Sequence, residues 1–157
     1  MIPDDFENRV TMYGLCTIVL GEDGFVWNMR ILGDNPLGRK YGYSEDACAS
    51  APKKMAEIVD LIARRLEALV EAGSPYLVGD SVSAADLCWA TMSMSLVVPP
   101  PEFRPVTKQN QGMLKYFSMN AGNPGIAEML TDRVEAHQRY ILTTYCETPA
   151  VLGGDPV

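Results

Sequence analysis

The sequence predicts an all-α protein, a bundle of about five to six helices forming a single domain over residues 1–157. Three observations predict it. Apolar residues recur at spacings of three and four, the period of one helix face. The breaks between these segments fall on Gly and Pro, the residues that stop helices. No segment shows a convincing strand pattern, and no internal repeat is found. The length suffices to bury one core, and 47% hydrophobic with 21% charged residues is the composition of a globular chain, not a disordered one.

The elements follow in order. From Phe6 to Leu20, the residues Phe6, Val10, Tyr13, Thr17 and Leu20 mark one helix face. Gly21 and Gly24 interrupt this run, so a kink or break is expected before helix resumes over Phe25 to Leu32. The stretch "GDNPLGRKYGYSED" reads as a loop. The clearest helix then starts at Ser50, a capping residue, with Pro52 in its first turn, where a missing N–H costs little. Met55, Ile58, Val59, Ile62, Leu66, Leu69 and Val70 form its apolar stripe, and Gly73 and Pro75 stop it. Asp60 and Arg64 stand four apart, acid first, the favourable order for a helix ion pair. After a Pro-rich connector, a short helix is expected near Met113 to Met119. Asn123 then caps a last helix from Pro124 to about Tyr145, with Ile126, Leu130, Val134, His137 and Ile141 on one side, before Pro149 and the "GGDP" tail.

Between these helices lies "SPYLVGDSVSAADLCWATMSMSLVVPPP", in which Leu87 to Pro101 carries no charge. Ser83 and Asp86 have capping-box spacing: the Ser83 hydroxyl accepts from the N–H of residue 86, and the Asp86 carboxylate reaches back to the N–H of residue 83. Val82 and Leu87 are placed to pack as a hydrophobic staple, and the carboxylate faces the positive end of the helix dipole. Leu87, Cys88, Trp89, Ala90, Met92, Met94, Leu96, Val97 and Val98 cover all faces, so this helix is expected to run through the core. Ser83 and Asp86 are accordingly structural caps. A catalytic role for either needs a histidine base, and none lies nearby in sequence.

Charge and composition exclude several classes. The net charge of −7 and the lack of a basic stripe argue against nucleic acid as a partner. The longest uncharged run is too short and too polar to span a bilayer, and the polar, acidic N-terminus is no secretory signal, so a cytoplasmic location without membrane contact is expected. Cys16, Cys48, Cys88 and Cys146 form no C-x-x-C pair and read as reduced thiols, three of them in apolar segments. A zinc site would need more histidines than the one present, so no metal is expected. "GDNPLGRK" lacks the Lys-Ser/Thr pair and the preceding strand of a phosphate loop. His137 sits among apolar neighbours on the last helix and reads as a partly buried histidine bonded to backbone or a neighbouring group. The nine methionines read as core filling, although flexible thioethers also suit a permissive pocket.

"YLVGDSVSAADLCWA" resembles the hallmark of the helical C-terminal domain of cytosolic glutathione S-transferases, in which an apolar–apolar–Gly–Asp segment precedes a Ser/Thr-x-x-Asp cap and a buried central helix. "MIPDDFENRVTMYGLC" looks like the linker and first helix of that domain, Met55 to Val70 like its second long helix, and Pro124 to Pro149 like its final helices. The resemblance implies a domain that supplies the wall of a hydrophobic-substrate pocket and a two-fold dimer surface. By position it implies Met12, Tyr13 and Cys16 as pocket-side residues. Glutathione would be the co-substrate once a thioredoxin-like half is supplied. The chain starts where the family's linker would be, so it is expected to bind no cofactor and to perform no catalysis alone. The other reading implied is a stand-alone protein-interaction module, homodimeric or paired with a thioredoxin-like domain, or a binder of hydrophobic small molecules.

Overall fold

Helix α1, Phe6–Leu20, starts where the Asp5 side chain accepts from the Asn8 N–H at 2.8 Å, and the acidic Glu7 sits in its first turn. The computed structural model to which it belongs describes residues 1–99, 102–104, 108, 111 and 124–150. The helix expected near Met113 to Met119, the Asn123 cap and the "GGDP" tail lie outside them. Phe6, Val10, Tyr13, Thr17 and Leu20 do share a face of α1, but that face is turned outward: Phe6 is 73% exposed, Val10 56% and Tyr13 54%. The core takes Met12, Leu15 and Val19 instead. Two apolar sets at helical spacing coexist on this helix, and periodicity alone does not say which one is inward.

The expected break follows. Asp23 adopts a left-handed φ of 59°, and a Cβ on Gly24 would lie 2.6 Å from the Ile18 carbonyl oxygen, so only glycine lets the chain turn so tightly against α1. Helix α2, Phe25–Arg30, is shorter than the expected Phe25 to Leu32. The stretch read as a loop contains a helix of one turn, α3, Pro36–Lys40. The Asn35 side chain accepts from the N–H groups of Leu37 and Gly38, both at 3.0 Å, and Pro36 occupies the first helical position. Five residues are too few to register as a periodic face.

Helix α4, Glu45–Glu71, starts earlier than expected. Its cap is Ser44, which accepts from the Ala47 N–H at 3.1 Å, and Glu45 and Asp46 occupy the first turn. Pro52 therefore lies inside the helix and removes one i→i−4 bond, a local cost that the adjoining caps and packing override. The stripe stands as read, with Met55, Val59, Ile62 and Leu66 fully buried, and Asp60 pairs with Arg64 at 2.9 Å.

Helix α5, Ala84–Met92, continues into a 3₁₀ turn, Ser93–Ser95. No residue from Ala84 to Val97 is exposed. Trp89 is wholly buried, its ring edge-on to Phe25 at 5.5 Å between centroids. The last expected helix is split into α6, Pro124–Ala127, and α7, Asp132–Tyr145, with Thr131 at the second start. Its buried side holds across the break: Ile126, Val134, His137 and Ile141 all face the core.

Helix α5 packs on α1 and α7, α2 packs on α1 and α4, and α4 also meets α6 and α7. One core cluster joins Met12, Val19, Phe25, Met55, Ile62 and Trp89, and a smaller one joins Tyr76, Ala90, Phe103, Ile141 and Leu142. Val82 and Leu87, the pair expected as a staple, both pack on the smaller cluster. All regular structure among the described residues is helical, and none of these helices is long and apolar enough to cross a membrane.

Candidate functional site

The chemistry of the described residues is concentrated where α5 begins. Asp86 is fully buried and accepts four hydrogen bonds. Its Oδ2 takes the Ser83 N–H at 2.8 Å and the Ser83 hydroxyl at 2.6 Å, within a capping box. Its Oδ1 takes the Leu77 N–H at 2.6 Å and stands 2.9 Å from His137 Nε2 on α7. The first N–H inside the helix, that of Ala84, donates to the Met1 carbonyl at 2.9 Å. Burial pushes the Asp86 carboxyl up, but the bonds from His137, Ser83 and Leu77 together outweigh it and hold the group below the usual carboxylate range.

The segment before the cap is shaped to deliver these donors. Gly79 has a left-handed φ of 65°, the conformation glycine adopts at least cost. The Ser74 hydroxyl donates to the Gly79 carbonyl at 2.6 Å and closes the turn. Leu77 is gripped on both sides, its N–H by Asp86 and its carbonyl by Arg65 Nε at 2.6 Å. Partial burial pulls the Arg65 guanidinium below its ordinary range, and the nearby Asp86 charge works against that pull.

A cavity of about 270 Å³ adjoins the His137 side of this centre. Leu66 and Val70 of α4 and Pro75 line it with apolar surface, and Arg133, His137 and Tyr140 of α7 bring polar groups. The Tyr140 hydroxyl is 3.2 Å from that of Tyr76, which also bonds Tyr145 at 2.6 Å. His137 Nδ1 is buried and has no hydrogen-bond partner among the described residues. A wider groove of about 520 Å³ lies between α1 and α4, lined by Ile18, Ile58 and Leu61 and by the Asp23–Lys54 ion pair, 2.6 Å.

The structural caps Ser83 and Asp86 stand where sequence placed them. The three pocket-side residues are not brought together: Met12 is in the core, Tyr13 is on the surface, and Cys16 is half-buried with its sulfur 4.0 Å from that of Cys88. None of the three lines either cavity. Burial, then the adjacent Cys88 thiol, pushes the Cys16 thiol up to about 11. Sequence reasoning missed the Asp86–His137 contact. Its partners are 51 residues apart, and spacing rules see only neighbours on one element. His137 does bond a neighbouring group, as its apolar setting suggested. Ser83 bonds the far oxygen of Asp86 and not the imidazole, so the trio is no Ser-His-Asp relay. Among the described residues no group of three or more His, Cys, Asp or Glu side chains is placed to hold a metal ion.

No family model, curated protein or solved structure matches the chain.

Proposed function

We propose that the chain is the helical domain of a glutathione transferase-like protein. It supplies an apolar docking wall and a dimer surface, and the thiol chemistry belongs to a thioredoxin-like half. The observation that carries this reading is the outer face of α1, where Phe6, Val10, Tyr13 and Leu20 are exposed. A run of large apolar side chains along one helix marks an interaction surface more often than a solvated one. The Gly79 turn, the Ser83–Asp86 box and the helix they open agree with the domain that the sequence resembles. The partner read for this face is a second copy of the chain, seated about a two-fold axis.

Sedimentation equilibrium, retention on immobilised glutathione and a conjugation assay test the reading together. The expected result is a dimer that neither binds glutathione nor turns over an electrophile. Val10→Glu converts it to a folded monomer. Turnover by the chain alone contradicts the division of labour. A wild-type monomer contradicts the dimer surface and leaves the α1 face to a thioredoxin-like half. A dimer that no such half engages favours the stand-alone assembly module.

A further inference from the structure

We propose that Cys16 and Cys88 form an oxidation site, which a hydroperoxide converts to a disulfide that locks α1 to α5. The inference rests neither on the dimer surface nor on a thioredoxin-like half. Cys16 lies on α1 and Cys88 on α5, 72 positions apart in sequence, and their sulfurs stand 4.0 Å apart. The sulfurs of a disulfide are about 2.05 Å apart, so the pair closes by about 2 Å. The packing of α1 on α5 holds them in place, and both residues lie against the larger core cluster. The other two thiols are elsewhere: Cys48 is in α4, and Cys146 packs on the smaller cluster. All four cysteines are free, and among the described residues no other two sulfurs are in contact.

Neither residue is sealed in the core, since both are half-buried, and hydrogen peroxide is a small reagent. Burial and the adjacent sulfur push the Cys16 thiol up to about 11, which makes it a poor attacker of peroxide. Cys88 is therefore the sulfur oxidised first. It takes one peroxide oxygen, the O–O bond breaks, and the second oxygen leaves with the thiol proton as water. The Cys16 sulfur then attacks the Cys88 sulfenic acid. An S–S bond forms, the S–O bond breaks, and the hydroxide departs as water with the Cys16 proton. The two sulfurs lose two electrons in all, and one peroxide gains them. Contact offsets the scarcity of Cys16 thiolate, because a group held beside its target reacts as if at very high concentration. A cross-link over 72 positions also restricts the unfolded chain, which favours the folded one.

The reduced full chain is treated with hydrogen peroxide, its remaining thiols are alkylated in denaturant, and its peptides are mapped by mass spectrometry. The expected product is one cross-link within a single chain, joining Cys16 to Cys88, with Cys48 and Cys146 alkylated. The oxidised protein should unfold at higher urea, its folding equilibrium constant raised roughly a hundredfold, and dithiothreitol should reverse the change. Cys16→Ser, a nearly isosteric change, should leave Cys88 as a sulfenic acid that dimedone traps in place of the cross-link. No cross-link, a different pairing, or a link only between chains overturns the proposal. So does a Cys88 that dimedone does not label in Cys16→Ser. A urea midpoint that oxidation fails to raise also overturns it, because the bond then does not lock the fold.

Discussion

At the residue scale, Asp86 shows why a motif read as local is not always local in its energetics. A capping residue is worth about 0.5–2 kcal/mol, and that range fits Ser83→Ala. Asp86→Asn is expected to cost more, roughly 2–4 kcal/mol in urea unfolding, because it removes a buried carboxylate and places an amide among donors arranged for four acceptor positions. The pH dependence follows with a definite sign. Folding holds the Asp86 carboxyl below its unfolded value of about 3.9, so its stabilising contribution is complete above that pH. The contribution is lost as pH falls through the lower, folded value. Wild type should therefore lose stability more steeply than Asp86→Asn below about pH 4, which chemical denaturation at successive pH values will read. Cys16 gives a second test. Raising a thiol from 9.0 to about 11 leaves roughly a hundredth of the usual thiolate at neutral pH, so alkylation of Cys16 should be slower by about that factor than that of an unperturbed thiol. Mass spectrometry of partly alkylated protein measures the rate site by site.

At the scale of elements, the sequence and the structure agree where one face dominates and part where the signal is divided. The stripe of α4 was legible because its apolar residues lie on one side only, yet its start was not. Ser44 and Ser50 are both good caps, and Pro52 favoured the later one until the packing of the whole helix overrode it. Helix α3 is too short to show a period, and the apolar period runs across Thr131, so the sequence does not separate α6 from α7. Helix α1 is the most instructive, since both of its apolar sets are real and only one is buried. Met12→Ala should cost about 2–5 kcal/mol, as for other core truncations. Val10→Glu on the opposite face should change monomer stability by less than about 0.5 kcal/mol. Urea unfolding of the two variants, each compared with wild type at a protein concentration low enough to dissociate the dimer, separates the inner face from the outer. Had the Phe6–Leu20 stripe been the core, the order would be reversed.

At the scale of the whole molecule, the helical class and the central place of α5 were readable from periodicity and one cap. The candidate site was only half readable. Ser83 and Asp86 announce themselves by spacing, whereas the Asp86–His137 contact exists only because α7 is brought back against α5, and the cavity because α7 also packs beside α4. The same centre joins three parts of the chain: the turn at Leu77, the start of α5, and α7. Folding is thus expected to be cooperative about it, with no separate opening of α5 while the rest stays intact. Native-state hydrogen exchange tests this most directly. The Leu77 and Ser83 amides and those of α5 after its first turn should exchange only through global unfolding, with protection equal to the full stability of the protein. Exchange of these amides at rates typical of frayed helix ends, while α4 remains protected, would contradict the account.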